Sequence, residues 1–214
     1  SIVMSVLGID TALAQEGLNV APLLVMASIF GAWERCFATG RQAVALDPMN
    51  PEPRLFLAVG LFYGGRLAEA ETEIRRMLEL APDSHWSRLI ACQILLAAGR
   101  PQDALAEARK EPARMRRLAA VALAAFACGL RQESDAALQA FEAEFVDGGP
   151  FQLAEIYAQR REFDSAFKWL EHTWKIREPG VCLIRSASTL KNLHSDSRWP
   201  AVLRKIGMSD EQLK

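Results

Sequence analysis

Histidine and tyrosine are scarce and net charge is nearly absent: the 214 residues hold three histidines, two tyrosines and a formal charge of −1. A general binder of nucleic acid or of an anionic membrane would be strongly basic, so neither is an expected partner. His85, His172 and His194 stand apart without H-x-x-x-H or H-E-x-x-H spacing, and no zinc site is expected. The four cysteines, Cys36, Cys92, Cys128 and Cys182, form no C-x-x-C pair and fall mostly where a helix wants a small apolar residue. They are expected to be reduced core thiols of a cytoplasmic protein, not a disulfide set or a metal site. No G-x-G-x-x-G, P-loop or G-x-S-x-G occurs, which removes the usual nucleotide and acyl-transfer signatures. Two S-x-x-K strings, Ser165 to Lys168 and Ser188 to Lys191, lack the S-D-N and K-T-G partners that would make either serine a nucleophile. No catalytic residue, metal or cofactor is expected.

Long hydrophobic runs are missing as well. Leu18 to Phe30 falls well short of the ~20 apolar residues a membrane helix needs, and Pro22 lies inside it. Ser1–Gln15 ends in an Ala-Leu-Ala that is similar to a signal-peptidase site, but it has no basic stretch and Asp10 interrupts its apolar run, so secretion is not expected. Because the sequence opens on serine, it is expected to be part of a longer chain.

What is present is apolar material at helical spacing. Half of the residues are hydrophobic, enough for a sizeable core without metals or disulfides. Asn50–Ser84 carries the clearest pattern. Leu57 and Leu61, then Ile74, Met77 and Leu78, recur at three- and four-residue spacing, and Gly64-Gly65 separates the two stretches. Two helices are predicted, crossing closely at Ala58 and Ala70, where a bulky residue would force them apart. Stepping 34 residues back from Gly65, Ala70, Leu80 and Pro82 reaches Gly31, Cys36, Leu46 and Pro48. The same step forward from Gly65 and Ala70 reaches Gly99 and Ala104.

The first unit is then predicted with helices Leu18–Phe30 and Trp33–Leu46, the latter weakened by ~1 kcal/mol through Gly40. The third runs from Ser84, a predicted N-cap, through a helix starting at Pro101. The fourth has a helix Ala113–Cys128, a turn at Gly129 and a small residue at Ser134. The fifth carries Leu153-Ala154, Tyr157 and Ala166, with Arg161 where glycine is usual and Pro179-Gly180 ending its second helix. Beyond Gly180 the repeat stops, and Ser186–Leu193 and Ser197–Ile206 read as short capping helices, with Ser209 capping a last turn. No strand is predicted.

Leu57-Ala58, Leu61, Gly65, Ala70, Ile74, Leu78 and Pro82 stand where the tetratricopeptide repeat (TPR) pattern wants leucine-small, large, glycine, small, large, large and proline. Over about residues 30–206 the chain resembles that family. The resemblance implies an all-α, right-handed superhelix of about five TPR-like helix pairs with a C-terminal helical cap. Its parts are an N-terminal segment 1–16, an array 17–180 divided as 17–50, 51–84, 85–112, 113–146 and 147–180, and a cap 181–214. It also implies a non-enzymatic scaffold that receives a partner helix, a peptide or a second copy of the chain in a concave groove. Carried over position by position, the groove is lined by Leu55, Phe56, Val59, Phe62 and Tyr63, by Trp86, Leu89, Ile90, Gln93 and Leu96, and by Leu123 and Phe126. Arg116, Phe151, Gln152 and Glu155 occupy further wall positions. The lysine, asparagine and arginine with which the family's chaperone receptors hold a peptide carboxylate are absent, so that partner is disfavoured.

A wall this apolar needs a cover. Candidates are a partner helix or peptide, a second subunit, the segment Ser1–Gln15 folded back, or an array wound so tightly that the wall is buried between first helices. With an open groove, glutamate at Phe62 and Leu89 is expected to abolish partner capture and spare the helices. The basic run Arg109, Lys110, Arg114, Arg116 and Arg117 reads as a solvated turn more than as an anion site. The C-terminal stretch AFKWLEHTWKIREPG, followed by LHSDSRW, is similar to the end of TPR arrays attached to bacterial winged-helix regulators, adenylate cyclases and serine/threonine kinases. That likeness implies an alternative function, the regulatory or sensory arm of a larger bacterial signalling enzyme or transcription regulator.

Overall fold

Asn50 opens the best-defined pair of helices: its side-chain oxygen accepts from the Glu52 N–H at 3.1 Å, and Pro51 follows at the first helical position, where a missing N–H costs nothing. Helix α3 (Pro51–Tyr63) results, and α4 (Leu67–Leu80) returns along it. The computed structural model describes residues 20–84, 86–146 and 148–213, without the side chains of residues 20–23 and Met26. The segment 1–16, the fold-back of Ser1–Gln15, the start of the first helix at Leu18, and His85 lie outside the described residues.

Among the described residues the remaining helices are α1 (Val20–Phe30), α2 (Trp33–Leu46), α5 (Ser87–Ala97), α6 (Pro101–Arg109), α7 (Arg114–Ala127), α8 (Arg131–Phe145), α9 (Pro150–Gln159), α10 (Phe163–Lys175) and α11 (Trp199–Lys205). Two short 3-10 stretches, Pro179–Leu183 and Ser188–Leu193, lie between α10 and α11, and no strand occurs among the described residues. The helices pack as consecutive pairs, α1 on α2 through α9 on α10.

The turns inside the pairs follow from backbone sterics. Gly31, Gly65, Gly99 and Gly129 all have positive φ, between 72° and 84°, where a β-carbon would crowd the following carbonyl. In the last four pairs the next N–H reaches back to the final helical turn: Arg66 to the Leu61 oxygen (2.7 Å), Arg100 to Leu95 (3.0 Å), Leu130 to Ala125 (2.9 Å) and Glu162 to Tyr157 (3.0 Å). This closure satisfies carbonyls that a helix end would otherwise leave unpaired. The fifth pair makes it with Arg161 at φ 62°, so the arginine takes over the glycine conformation.

Close packing explains the small residues. Ala58, Ala70, Ala104 and Ala166 are fully buried, and Ser134 in the fourth pair donates its hydroxyl to the Ala122 carbonyl at 2.8 Å. A β-carbon on Gly40 would lie 2.9 Å from Leu57 Cδ1, so the glycine that weakens α2 lets α2 approach α3.

Three sequence expectations are corrected. α5 begins at Ser87 rather than after Ser84, because Trp86 adopts a left-handed conformation at φ 68°; Ser84 contributes only its carbonyl, to the Ser87 hydroxyl. α10 ends at Lys175, ahead of Pro179-Gly180, because Arg177 turns left-handed at φ 56°. The repeat register also continues past Gly180. Thr189 bonds Glu155, Asn192 bonds the Ala158 carbonyl, Arg198 pairs with Asp164 and Lys205 with Glu171, each across 34 residues. Ser188–Leu193 and α11 thus sit against the fifth pair.

First helices also touch one another: α1 packs on α3, α3 on α5, α5 on α7 and α7 on α9. α1 packs in addition against Pro179–Leu183, and Val25 and Ile29 share a core with Phe151 and Val181. The first described helix and the last part of the chain therefore meet.

Candidate interaction surface

The wall positions divide by burial. Val59, Phe62, Leu89, Ile90, Gln93 and Leu123 are buried, whereas Leu55, Phe56, Tyr63, Leu96 and Phe126 are half-buried and Trp86 is 39% exposed. Phe151, Gln152 and Glu155 are also buried. Glutamate at Phe62 or Leu89 would therefore put an unpaired charge into packed core, and the expectation that such variants keep their helices is corrected on that ground. Trp86 stays accessible at the N-terminus of α5, with the Arg116 guanidinium 5.6 Å from its ring centre.

The wall is not wholly apolar. Glu155, 2% exposed on α9, accepts the Thr189 hydroxyl at 2.6 Å and the Gln93 amide at 3.2 and 3.4 Å. Burial raises its pKa to about 7 against the partial opposition of those two donors, and the nearby Glu178 carboxylate adds to the rise. Burial likewise pushes up the Tyr63 phenol, which also senses Glu155 and Cys182. Gln93 Oε1 is buried with no donor. Wall positions had brought Gln93 and Glu155 forward in the sequence, but not as partners of each other, since 62 residues separate them.

The large apolar side chains left exposed have a pattern. Leu46 (63%) ends α2 and Met49 (73%) lies between α2 and α3, Trp86 lies between α4 and α5, and Ile176 just after α10. All four lie at or just past the end of the second helix of a pair. In antiparallel pairs stacked side by side, such connections come to one edge of the stack. Phe30 and Leu130 are exposed at turns within pairs. Composition alone carried no signal for this edge, because isolated surface apolar residues are ordinary.

The other features single out no chemistry. Arg109 pairs with Glu133, Lys110 with Glu107, Arg114 with Glu144 and Arg116 with Glu111, while Arg117 donates to the Glu111 and Pro112 carbonyls. Four of the five cations of the basic run are thus paired within the chain. Glu111, fully buried at its side chain, also accepts the Ala113 N–H and so shapes the entry to α7. The four thiols are free; Cys36, Cys92 and Cys182 are buried, and burial pushes Cys36 up to about 11 and Cys182 up to about 12, so they are poor nucleophiles. Ser165 and Lys168 lie on α10, where Lys168 sits over the Trp169 ring, and Ser188 and Lys191 lie on the second 3-10 stretch. Among the described residues no three His, Cys, Asp or Glu side chains gather as metal ligands, and no helix is long and apolar enough to cross a membrane.

No protein-family model matches the chain, and no curated protein matches it significantly.

Proposed function

We propose that the chain is a non-enzymatic protein-interaction module of TPR type, its helix pairs winding into a right-handed superhelix. Its partner is a protein, bound along the edge carrying Leu46, Met49, Trp86 and Ile176, with half-buried Leu55 and Phe56 behind it. The observation that carries this reading is that four of the six large apolar side chains left to solvent among the described residues lie at or just past the ends of second helices. Tryptophan at such a place is the residue type that most often dominates binding energy, at ~2 kcal/mol or more. The double variant Trp86→Glu, Met49→Glu changes exposed residues, so helicity by circular dichroism is expected to stay the same while affinity for the captured partner falls by about thirtyfold or more. Sedimentation at rising concentration tells whether that partner is a second copy of the chain. Unchanged affinity in the double variant would remove this edge as the interface.

A second reading, a regulatory arm of a larger bacterial signalling enzyme or transcription regulator, is favoured by the Gln93–Glu155–Thr189 junction. A passive scaffold has no need of a buried carboxyl without a cation partner. A winged-helix, cyclase or kinase pattern in the same reading frame of the source gene would support it.

A further inference from the structure

Glu155 joins three parts of the chain that are far apart in sequence: α9, which carries it, α5 through Gln93, and the 3-10 stretch Ser188–Leu193 through Thr189. Among the described residues, every group seen bonded to Glu155 or acting on it electrostatically is neutral or acidic. Tyr63 approaches from α3, and Glu178 and Cys182 from the segment against which α1 packs. Charges on the other packed elements are engaged elsewhere: Arg88 of α5 with Glu107, Arg114 and Arg116 of α7 with Glu144 and Glu111, and Asp164 and Glu171 of α10 with Arg198 and Lys205. Arg117 of α7 donates to carbonyls, Lys168 of α10 lies over Trp169, and Lys191 of the 3-10 stretch is exposed.

A buried carboxylate with no cation is unfavourable, and so is the buried Gln93 oxygen with no donor. One proton answers both. A neutral carboxylic acid and a primary amide form a two-bond ring, the amide N–H donating to one acid oxygen while the acid O–H donates to the amide oxygen. A small turn of the Gln93 amide, which already points its nitrogen at both Glu155 oxygens, completes that ring.

We propose that Glu155 is a proton-held clasp: neutral, it fastens Pro179–Leu193 and α9 to α5, and ionised, it loosens that junction. The clasp stands whether or not a partner binds the outer edge. Because the folded protein holds this proton more tightly than the unfolded chain, its contribution is full below the unfolded value of 4.5 and is lost as pH rises through about 7.

Hydrogen exchange of residues 179–193, corrected for intrinsic rates, reads the clasp directly. In the unaltered protein, protection of this stretch is expected to fall about tenfold between roughly pH 6 and 8 relative to α3 and α4, the amount one ionisation near 7 supplies. Glu155→Gln, whose amide donates to Gln93 without titrating, is expected to remove the fall, whereas Glu178→Gln is expected to keep it. A fall of equal size in Glu155→Gln, or none in the unaltered protein, would overturn the proposal. Should Glu155→Gln not fold, the Glu155 side-chain carboxyl 13C shift in the unaltered protein decides: titration near 7 supports the clasp, and titration near 4.5 rejects it.

Discussion

Phe141→Ala is expected to lower the free energy of unfolding by about 3–5 kcal/mol. Phe141 is fully buried on α8 and packs with Ala119, Ala122 and Leu123 of α7 and with Leu153 and Ile156 of α9. Its ring also meets Phe145 at 6.0 Å between centres. Most of these neighbours are small or already fixed by their own helices, so they have little freedom to collapse into the space a phenyl ring leaves. Urea denaturation followed by circular dichroism measures the change. A loss below about 1 kcal/mol would mean that the ring is not held between the fourth and fifth pairs.

Ala70→Phe acts in the opposite sense at a comparable scale. Ala70 is fully buried on α4 and shares one core with Ala58 of α3 and with Leu57, Leu61 and Ile74. A phenyl group there has no void to enter, and α3 and α4 are tied at their far end by the Gly65 turn. Overpacking by a few methylenes costs ~1–3 kcal/mol, and a whole ring is expected to exceed the upper end of that range. The readout is the midpoint of thermal unfolding or, at the limit, loss of soluble protein. A variant as stable as the parent would show that α3 and α4 do not cross at these alanines.

Much of this architecture was legible because it is local. Helical spacing of Leu57, Leu61, Ile74 and Leu78, with glycine at 31, 65, 99 and 129, follows from sterics within a few residues, and those glycines do sit in left-handed turns. Arg161 marked the fifth turn as a departure, and the chain tolerates the strain with the same closure. Trp86 and Arg177 gave no such warning, since nothing in their neighbours demands positive φ. The corrected ends of α5 and α10 both trace to them.

The candidate site was legible in its residue types and not in its exposure. Whether Phe62 and Leu89 face an open groove or a packed interior depends on how closely successive first helices approach, and a repeat period carries no such distance. Partners far along the chain were hidden for the same reason. Arg109 finds Glu133 across 24 residues and Arg114 finds Glu144 across 30, so most of a run that looks basic in sequence is paired in space. The 34-residue step that located Gly65 and Gly99 also ties Thr189 to Glu155, but the 3-10 stretch Ser188–Leu193 is too short to carry the helical apolar spacing that would have announced it.

The account rests on helix pairs whose inner faces are closed by the chain itself, and native thiol labelling mapped by mass spectrometry tests that most directly. Cys36, Cys92 and Cys182 are buried on α2, on α5 and on the 3-10 stretch that meets α1, whereas Cys128 is half-buried at the end of α7. At about pH 6, where the Glu155 clasp is fastened, Cys128 is expected to label first and the other three far more slowly. Labelling of Cys92 and Cys182 as fast as Cys128 under native conditions would show an open interior and contradict the account.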